Sequence, residues 1–158
     1  MKIGLISDTH GQVRADVHRA LAGVSLILHA GDVGGDAVLD ELQLIAPVHA
    51  VYGNTDMADD PRLSRSVELE LGGVRIHVSH GHEVGSPTPD LLLERYDARV
   101  VVYGHTHKAL IEERERRWCI NPGAAGPRRF NLLPSVGILT LESGRITVEL
   151  VELEIKGA

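Results

Sequence analysis

The chain has 158 residues, 43% of them hydrophobic and 24% charged, with a formal net charge of −6. That is one domain's worth of chain, long enough to close a core without staples, so residues 1–158 are expected to form a single domain. The acidic balance and 3% aromatic content give no general reason to bind nucleic acid, and the lone cysteine, Cys119, excludes an intramolecular disulfide or a Cys-only zinc site.

Residues 2–7 read as a strand that ends in Ser7 and Asp8. This apolar run is too short for a signal-peptide core, and no run approaches the ~20 apolar residues of a spanning helix. A cytoplasmic protein away from membranes is the expectation, and the single cysteine fits a reducing compartment. Residues 12–22 place Val13, Val17 and Leu21 on one helix face. A strand over 25–29, a helix over 36–46 closed by Pro47, and a strand over 48–52 follow. This β-α-β-α-β opening implies parallel strands with helical crossovers.

The pattern then changes. After a polar loop at 57–66, strands over 67–71 and 74–79 flank Gly72 and Gly73, a hairpin signature. Two prolines precede a short helix over 91–96, and residues 99–103 are a further strand. Residues 110–113 and 117–120 form a second hairpin, 121–134 a loop rich in Gly and Pro, and 136–141 with 145–153 a third hairpin. The fold class is α/β with more than one sheet, because late antiparallel hairpins follow an early parallel unit.

Five strands end on polar residues: Asp8-Thr9-His10, Gly31-Asp32, Gly53-Asn54, His80, and Gly104-His105-Thr106-His107. Ligands bind at the carboxyl ends of strands in open α/β sheets. In Asp8-x-His10 and His105-x-His107, residues two apart point the same way from an extended backbone, so each pair can grip one ion. Asp8, His10, Asp32, Asn54, His80, His105 and His107 make seven metal-competent side chains. Their mixture of carboxylate, imidazole and amide suits Mn²⁺, Fe, Zn²⁺ or Ni²⁺, with Mn²⁺ foremost. Seven ligands suffice for two divalent ions with one shared carboxylate, the clamp used for in-line displacement at phosphorus.

Taken singly, each residue has an ordinary role. Asp8 and His10 could cap a helix, and Asp32 and Asn54 follow glycines as turn residues do. His82 is a substrate-side group or a loop residue. His29 reads as packed or placed behind the site, and His18, His49 and His77 as belonging to a helix surface or to sheet faces. Asp56 either orients a ligand or shapes a turn. Asn121 and Gly123 shape a loop, and Arg128 and Arg129 either meet a phosphate or are solvated.

In this order, the five blocks resemble the calcineurin-like binuclear metallophosphoesterases. The short length and Asn121-Pro122-Gly123 resemble the small bacterial and archaeal phosphodiesterase branch, to which a retromer subunit is related. The resemblance implies two mixed β-sheets packed as a sandwich and flanked by helices. It assigns Asp8, His10, Asp32 and His107 to one metal, and Asp32, Asn54, His80 and His105 to the other. It implies a phosphodiesterase in which a metal-bridging hydroxide attacks phosphorus in line, on a small phosphate-ester substrate, with Asp32, Asn54, His80 and His82 as catalytic candidates. The alternative is a non-catalytic metal-binding interaction module on the same fold. A homo-oligomer stays open. One departure stands out: the family places a histidine after Gly-Asn to assist the leaving oxygen, and here that position is Thr55.

Overall fold

A computed structural model describes residues 1–129 and 131–153. In chain order the elements are β1 (Lys2–Ile6), α1 (Ala15–Ala20), β2 (Leu26–His29), α2 (Asp36–Gln43), β3 (Val48–Ala50), β4 (Val67–Leu71), β5 (Val74–Val78), α3 (Pro89–Arg95), β6 (Val100–Val102), β7 (Leu110–Arg114), β8 (Arg117–Asn121), β9 (Ser135–Glu142) and β10 (Arg145–Glu152), with a short 3₁₀ turn at His82–Val84. No described helix is long and apolar enough to cross a membrane.

The strands form two five-stranded mixed sheets, ordered β10-β9-β1-β2-β3 and β4-β5-β6-β8-β7. In the first, β1 pairs in parallel with β2 (Ile3 opposite Leu26, Ile6 opposite His29) and β2 with β3 (Ile27 opposite Val48). The long hairpin β9–β10 adds to β1 antiparallel (Lys2 opposite Thr140). In the second, β5, β6 and β8 run parallel, and hairpin partners β4 and β7 close the two edges. Each hairpin turns on two residues of positive φ: Gly72 and Gly73, Glu115 and Arg116, Ser143 and Gly144. That conformation matches the right-handed twist of the flanking strands.

Period-two alternation sorts side chains into layers. Ile3, Leu5 and Leu28 of the first sheet meet Ile76, Val78, Val100, Val102 and Ile120 of the second in a core between the sheets. Ile6 and Ile27 instead face α1 and α2, packing on Val17, Leu21, Val38, Leu39 and Leu42. Val101, Tyr103 and Cys119 turn outward under Leu92 and Leu93 of α3. The result is a sandwich of two mixed sheets with helices outside, as the resemblance implied.

Differences from the sequence reading are local. The first helix begins at Ala15, not residue 12: Gly11 has positive φ and Arg14 is extended at φ −68° and ψ 145°, while His10 and Gly11 donate to the Asp32 and Val33 carbonyls and Gln12 to that of Thr9. The second helix stops at Gln43, where the Leu44 and Ile45 amides tighten to bonds three residues back. The third starts earlier, at Pro89, with the Thr88 side chain accepting from the Leu91 amide.

Candidate metal centre

The parallel pairing aligns strand ends in register, so the residues after β1, β2 and β3 meet those after β5 and β6 at one rim of the sandwich. Asp8 is the hub. Its side chain is fully buried, and Oδ2 accepts from Ser7 Oγ at 2.5 Å and the His105 backbone N–H at 3.1 Å. Oδ1 is buried with no hydrogen-bond partner. Around it stand His107 Nε2 at 3.4 Å, His10 Nε2 at 3.8 Å and His80 Nε2 at 3.9 Å. A buried carboxylate oxygen without a donor is costly, and three ring nitrogens converging on it are the surroundings a bound cation would satisfy.

Asp32 completes the arrangement. Its Oδ1 accepts from the Thr55 amide at 3.0 Å, and its Oδ2 lies 3.3 Å from His80 Nε2 and 3.8 Å from His10 Nε2. Two groups of three therefore have donor atoms within 4.8 Å of one another: Asp8, His10 and His107, and Asp8, Asp32 and His80. The sequence reading shared Asp32 between the sites; the geometry puts Asp8 in both groups and Asp32 within reach of both halves. Asn54 Oδ1 lies 3.1 Å from His80 Nε2, and the His105 ring stands edge-on to His80 with centroids 5.1 Å apart. The seven residues are thus brought to one place.

Hydrogen bonds set the imidazoles. His80 Nδ1 lies 2.8 Å from the Ala30 carbonyl and must donate to it, so in the neutral ring Nε2 presents a lone pair to the centre. Burial lowers the His80 pKa, but Asp32 and Asp8 outweigh it and raise the value: this space attracts positive charge. Burial lowers the His10 pKa against the pull of Asp32 and Asp8, with Arg129 adding to the drop. Burial, then His80, lowers that of His105. Burial opposes ionisation of Asp32, yet hydrogen bonds from His80 and Thr55 hold its carboxyl well below the usual range.

The backbone is strained here. Asp8, His10, Asp32, His105 and His107 all have positive φ, between 45° and 73°. Among the described residues, the other non-glycines of this kind are Glu115, Arg116 and Ser143, all in hairpin turns. Such conformations cost energy outside glycine and persist where the surroundings over-determine them. Two glycines admit the close approach. A Cβ on Gly53 would lie 2.0 Å from Asp32 Oδ1, and one on Gly104 2.0 Å from Ser7 Oγ and 2.6 Å from Asp8 Oδ2.

Supporting residues do the bracing. Asp56 accepts from the Val33, Gly34 and Gly53 amides at 2.9–3.1 Å, tying the loop after Asp32 to the turn before Asn54. Asn121 is the last residue of β8, not the first of a loop. It donates to the Gly104 carbonyl and Thr106 Oγ1 and accepts from the Gly123 amide, propping the turn that carries His105 and His107. His29, fully buried, accepts from the Gly31 amide at Nδ1, so its Nε2–H donates to Thr9 Oγ1, which in turn donates to the Val33 carbonyl. Sequence reading missed Ser7 and the Thr9–His29 chain. A small hydroxyl on each side of Asp8 was the available signal.

His82 borders the centre without joining either group: its ring lies 5.3 Å from that of His80 and 6.3 Å from that of His105, and its buried Nδ1 makes no hydrogen bond but lies 4.0 Å from Glu83 Oε1. The remaining histidines lie elsewhere. His18 pairs with Glu41, His49 is exposed, and His77 stacks on Tyr96 at 3.6 Å. Arg128 and Arg129 are exposed on a loop whose Gly126 amide bonds to the Asp8 carbonyl.

A family model described as the calcineurin-like phosphoesterase superfamily domain matches residues 1–144. The chain is 36% identical to a probable metallophosphoesterase of Methanothermobacter thermautotrophicus, over 96% of this chain and 92% of that one. It is 29% identical to a phosphodiesterase of Methanocaldococcus jannaschii, over 90% and 94% respectively. Among solved structures, a single mutant of Vps29 from Entamoeba histolytica superposes with a TM-score of 0.81 at 23% identity, covering 98% of this chain and 100% of that one. The wild-type Vps29 of that organism, complexed with zinc, gives 0.78 at 25% identity over 96% and 99%.

Proposed function

The chain belongs to the calcineurin-like phosphoesterase superfamily, and from that premise we propose that it is a binuclear metal-dependent phosphodiesterase. The observation that carries the reading is Asp8 Oδ1, buried, unpartnered and faced by three imidazole nitrogens. Asp8, His10, Asp32 and His107 would hold one ion, and Asp32, Asn54, His80 and His105 the other, with Asp8 placed to serve both. Bound divalent ions supply an activated water and positive charge toward the phosphoryl oxygens.

The chain's own residues do the rest. Asp8 and Asp32 offset part of the ionic charge and leave the centre attractive to an anionic ester. The Ala30 carbonyl fixes the His80 ring, and Asn54 offers a neutral oxygen beside it. His82 borders the centre, its ring 5.3 Å from that of His80, and is the further imidazole that would act on an ester oxygen. Thr55 offers a hydroxyl where the family carries an imidazole. Mn²⁺ suits the donor set first, with Fe, Zn²⁺ or Ni²⁺ as alternatives.

The test is hydrolysis of bis(4-nitrophenyl) phosphate by protein reconstituted with Mn²⁺. Turnover that a chelator abolishes and Mn²⁺ restores is expected. No turnover with any of the four metals would contradict it and favour an interaction module. His80→Ala lowers metal content and turnover together, whereas His82→Ala lowers turnover alone.

A further inference from the structure

The loops that carry Asp32 and Asn54 onward also wall a cavity. Residues 33–35 form one side and residues 55–57 the other, enclosing about 330 Å³. This lies within the roughly 300–1,000 Å³ of small-molecule sites. Thr55 links it to the centre: it lines the cavity, donates its amide to Asp32 Oδ1 at 3.0 Å and directly follows Asn54. The base is apolar, made of Val33, Leu39 and Leu63, all buried in the core beneath α2. Met57 also lines it and is 70% exposed. A flexible thioether beside an apolar base packs well on a ring.

The charge of the walls narrows the choice. Asp56 is held as an acceptor by three backbone amides, and Asp60 accepts from the Arg62 amide. Both line the cavity. Two carboxylates repel any further anionic group, and the apolar base of Val33, Leu39 and Leu63 favours an uncharged occupant over a cationic one.

We propose that this cavity receives one organic substituent of the phosphodiester and selects an uncharged, flat, apolar group such as an aryl ring over a small alkyl group. The inference rests on the phosphodiesterase reading and names the substrate class that reading leaves open. Asp56 and Thr55 set the walls, and Met57 is the specificity-determining residue. The cavity adjoins the centre through Val33 and Thr55, the residues that directly follow Asp32 and Asn54, so a diester seated at the centre would direct one substituent toward it.

The experiment measures calorimetric binding of diphenyl phosphate and dimethyl phosphate to the Mn²⁺-loaded protein, with bis(4-nitrophenyl) phosphate hydrolysis followed on the same preparation. Burying one ring predicts diphenyl phosphate at least about tenfold tighter. Met57→Glu, a change at an exposed position that leaves the core intact, reduces that ratio to within about threefold. Leu133→Glu, beside His107 in a different depression, leaves the ratio as in the wild type. Equal affinity for the two probes in the wild type, a preference that survives Met57→Glu, or one that is lost in Leu133→Glu overturns the cavity assignment while hydrolysis still stands. Absence of hydrolysis overturns the phosphodiesterase reading and the cavity's role with it.

Discussion

The two sheets contribute different chemistry to the same rim. The first sheet, through the ends of β1, β2 and β3, supplies both carboxylates, the amide of Asn54 and a single imidazole, His10. The second, through β5 and β6, supplies imidazoles alone: His80, His105 and His107. Both three-residue groups mix the sheets, since Asp8 and His10 meet His107, and Asp8 and Asp32 meet His80. Negative charge therefore comes from one layer and neutral nitrogen donors from the other. A cation held between them ties the sandwich together at its rim, and neither layer holds a complete set alone.

The strongest way to break this division is at its anionic hub. Asp8→Ala removes the carboxylate common to both groups and leaves Asp32 as the one carboxylate among four imidazoles. Loss of both ions is expected, with kcat/KM for bis(4-nitrophenyl) phosphate falling about 10³-fold or more, as removing several kcal/mol of charge stabilisation requires. Asn54→Ala, which removes the amide oxygen 3.1 Å from His80 Nε2, is expected to weaken one ion and leave the other. Metal analysis after dialysis checks both. Equal loss from the two variants would contradict the hub.

The bracing of the first sheet gives the next effect. His29 is neutral and buried, with its pKa lowered by burial from 6.5 to about 4. Above pH 6.5 both folded and unfolded chains keep it neutral. Between pH 6.5 and 4 the unfolded chain takes a proton that the folded one refuses, so stability falls by about 3 kcal/mol across that window. Urea denaturation with chelator present at pH 7, 5.5 and 4.5 measures it. His29→Gln is expected to flatten the slope, and an unchanged slope would remove His29 from the account.

The contact between the layers can be wedged directly. Gly104, at the end of β6, leaves no room for a Cβ against Ser7 and Asp8 of the other sheet. Gly104→Ala is expected to cost about 1–3 kcal/mol, as overpacking does, and to weaken metal binding as the His105 turn moves off. Its thermal midpoint with and without Mn²⁺ checks this: the gap between the two narrows relative to the wild type.

Much of this is legible in the sequence. The strand-end blocks declared themselves because a parallel strand must deliver its carboxyl end to one rim, and a polar residue placed there has few other uses. The hairpins were legible from Gly-Gly and from polar tips. Less legible was anything set by tertiary hydrogen bonding. The first helix starts late because the chain after Asp8 is tied to the loop after β2 and stays non-helical through an extended Arg14. Asn121 looked like loop because its side chain acts on the neighbouring turn, and Asp8 looked equivalent to Asp32 because spacing does not tell which carboxylate lies deeper.

The smallest effect concerns Thr55, on the first sheet's side of the rim. A threonine hydroxyl does not replace an imidazolium as a proton donor, and general-acid help is typically worth ~10²–10⁴-fold. Rates for aryl and alkyl phosphodiesters are expected to depend steeply on leaving-group pKa. Thr55→His, placed without a supporting shell, is expected to recover about tenfold at most for alkyl leaving groups, the low end of that contribution. A flat series in the wild type would assign the proton to another group, His82 first.

The central claim is that residues from both sheets jointly hold two ions, and that the pair makes the catalyst. Titrating the metal-free protein with Mn²⁺, while bound ions and bis(4-nitrophenyl) phosphate turnover are followed on the same samples, tests it most directly. The account predicts saturation at two ions per chain, with turnover rising as the second ion binds. Saturation at one ion, or turnover complete before the second is bound, would contradict it.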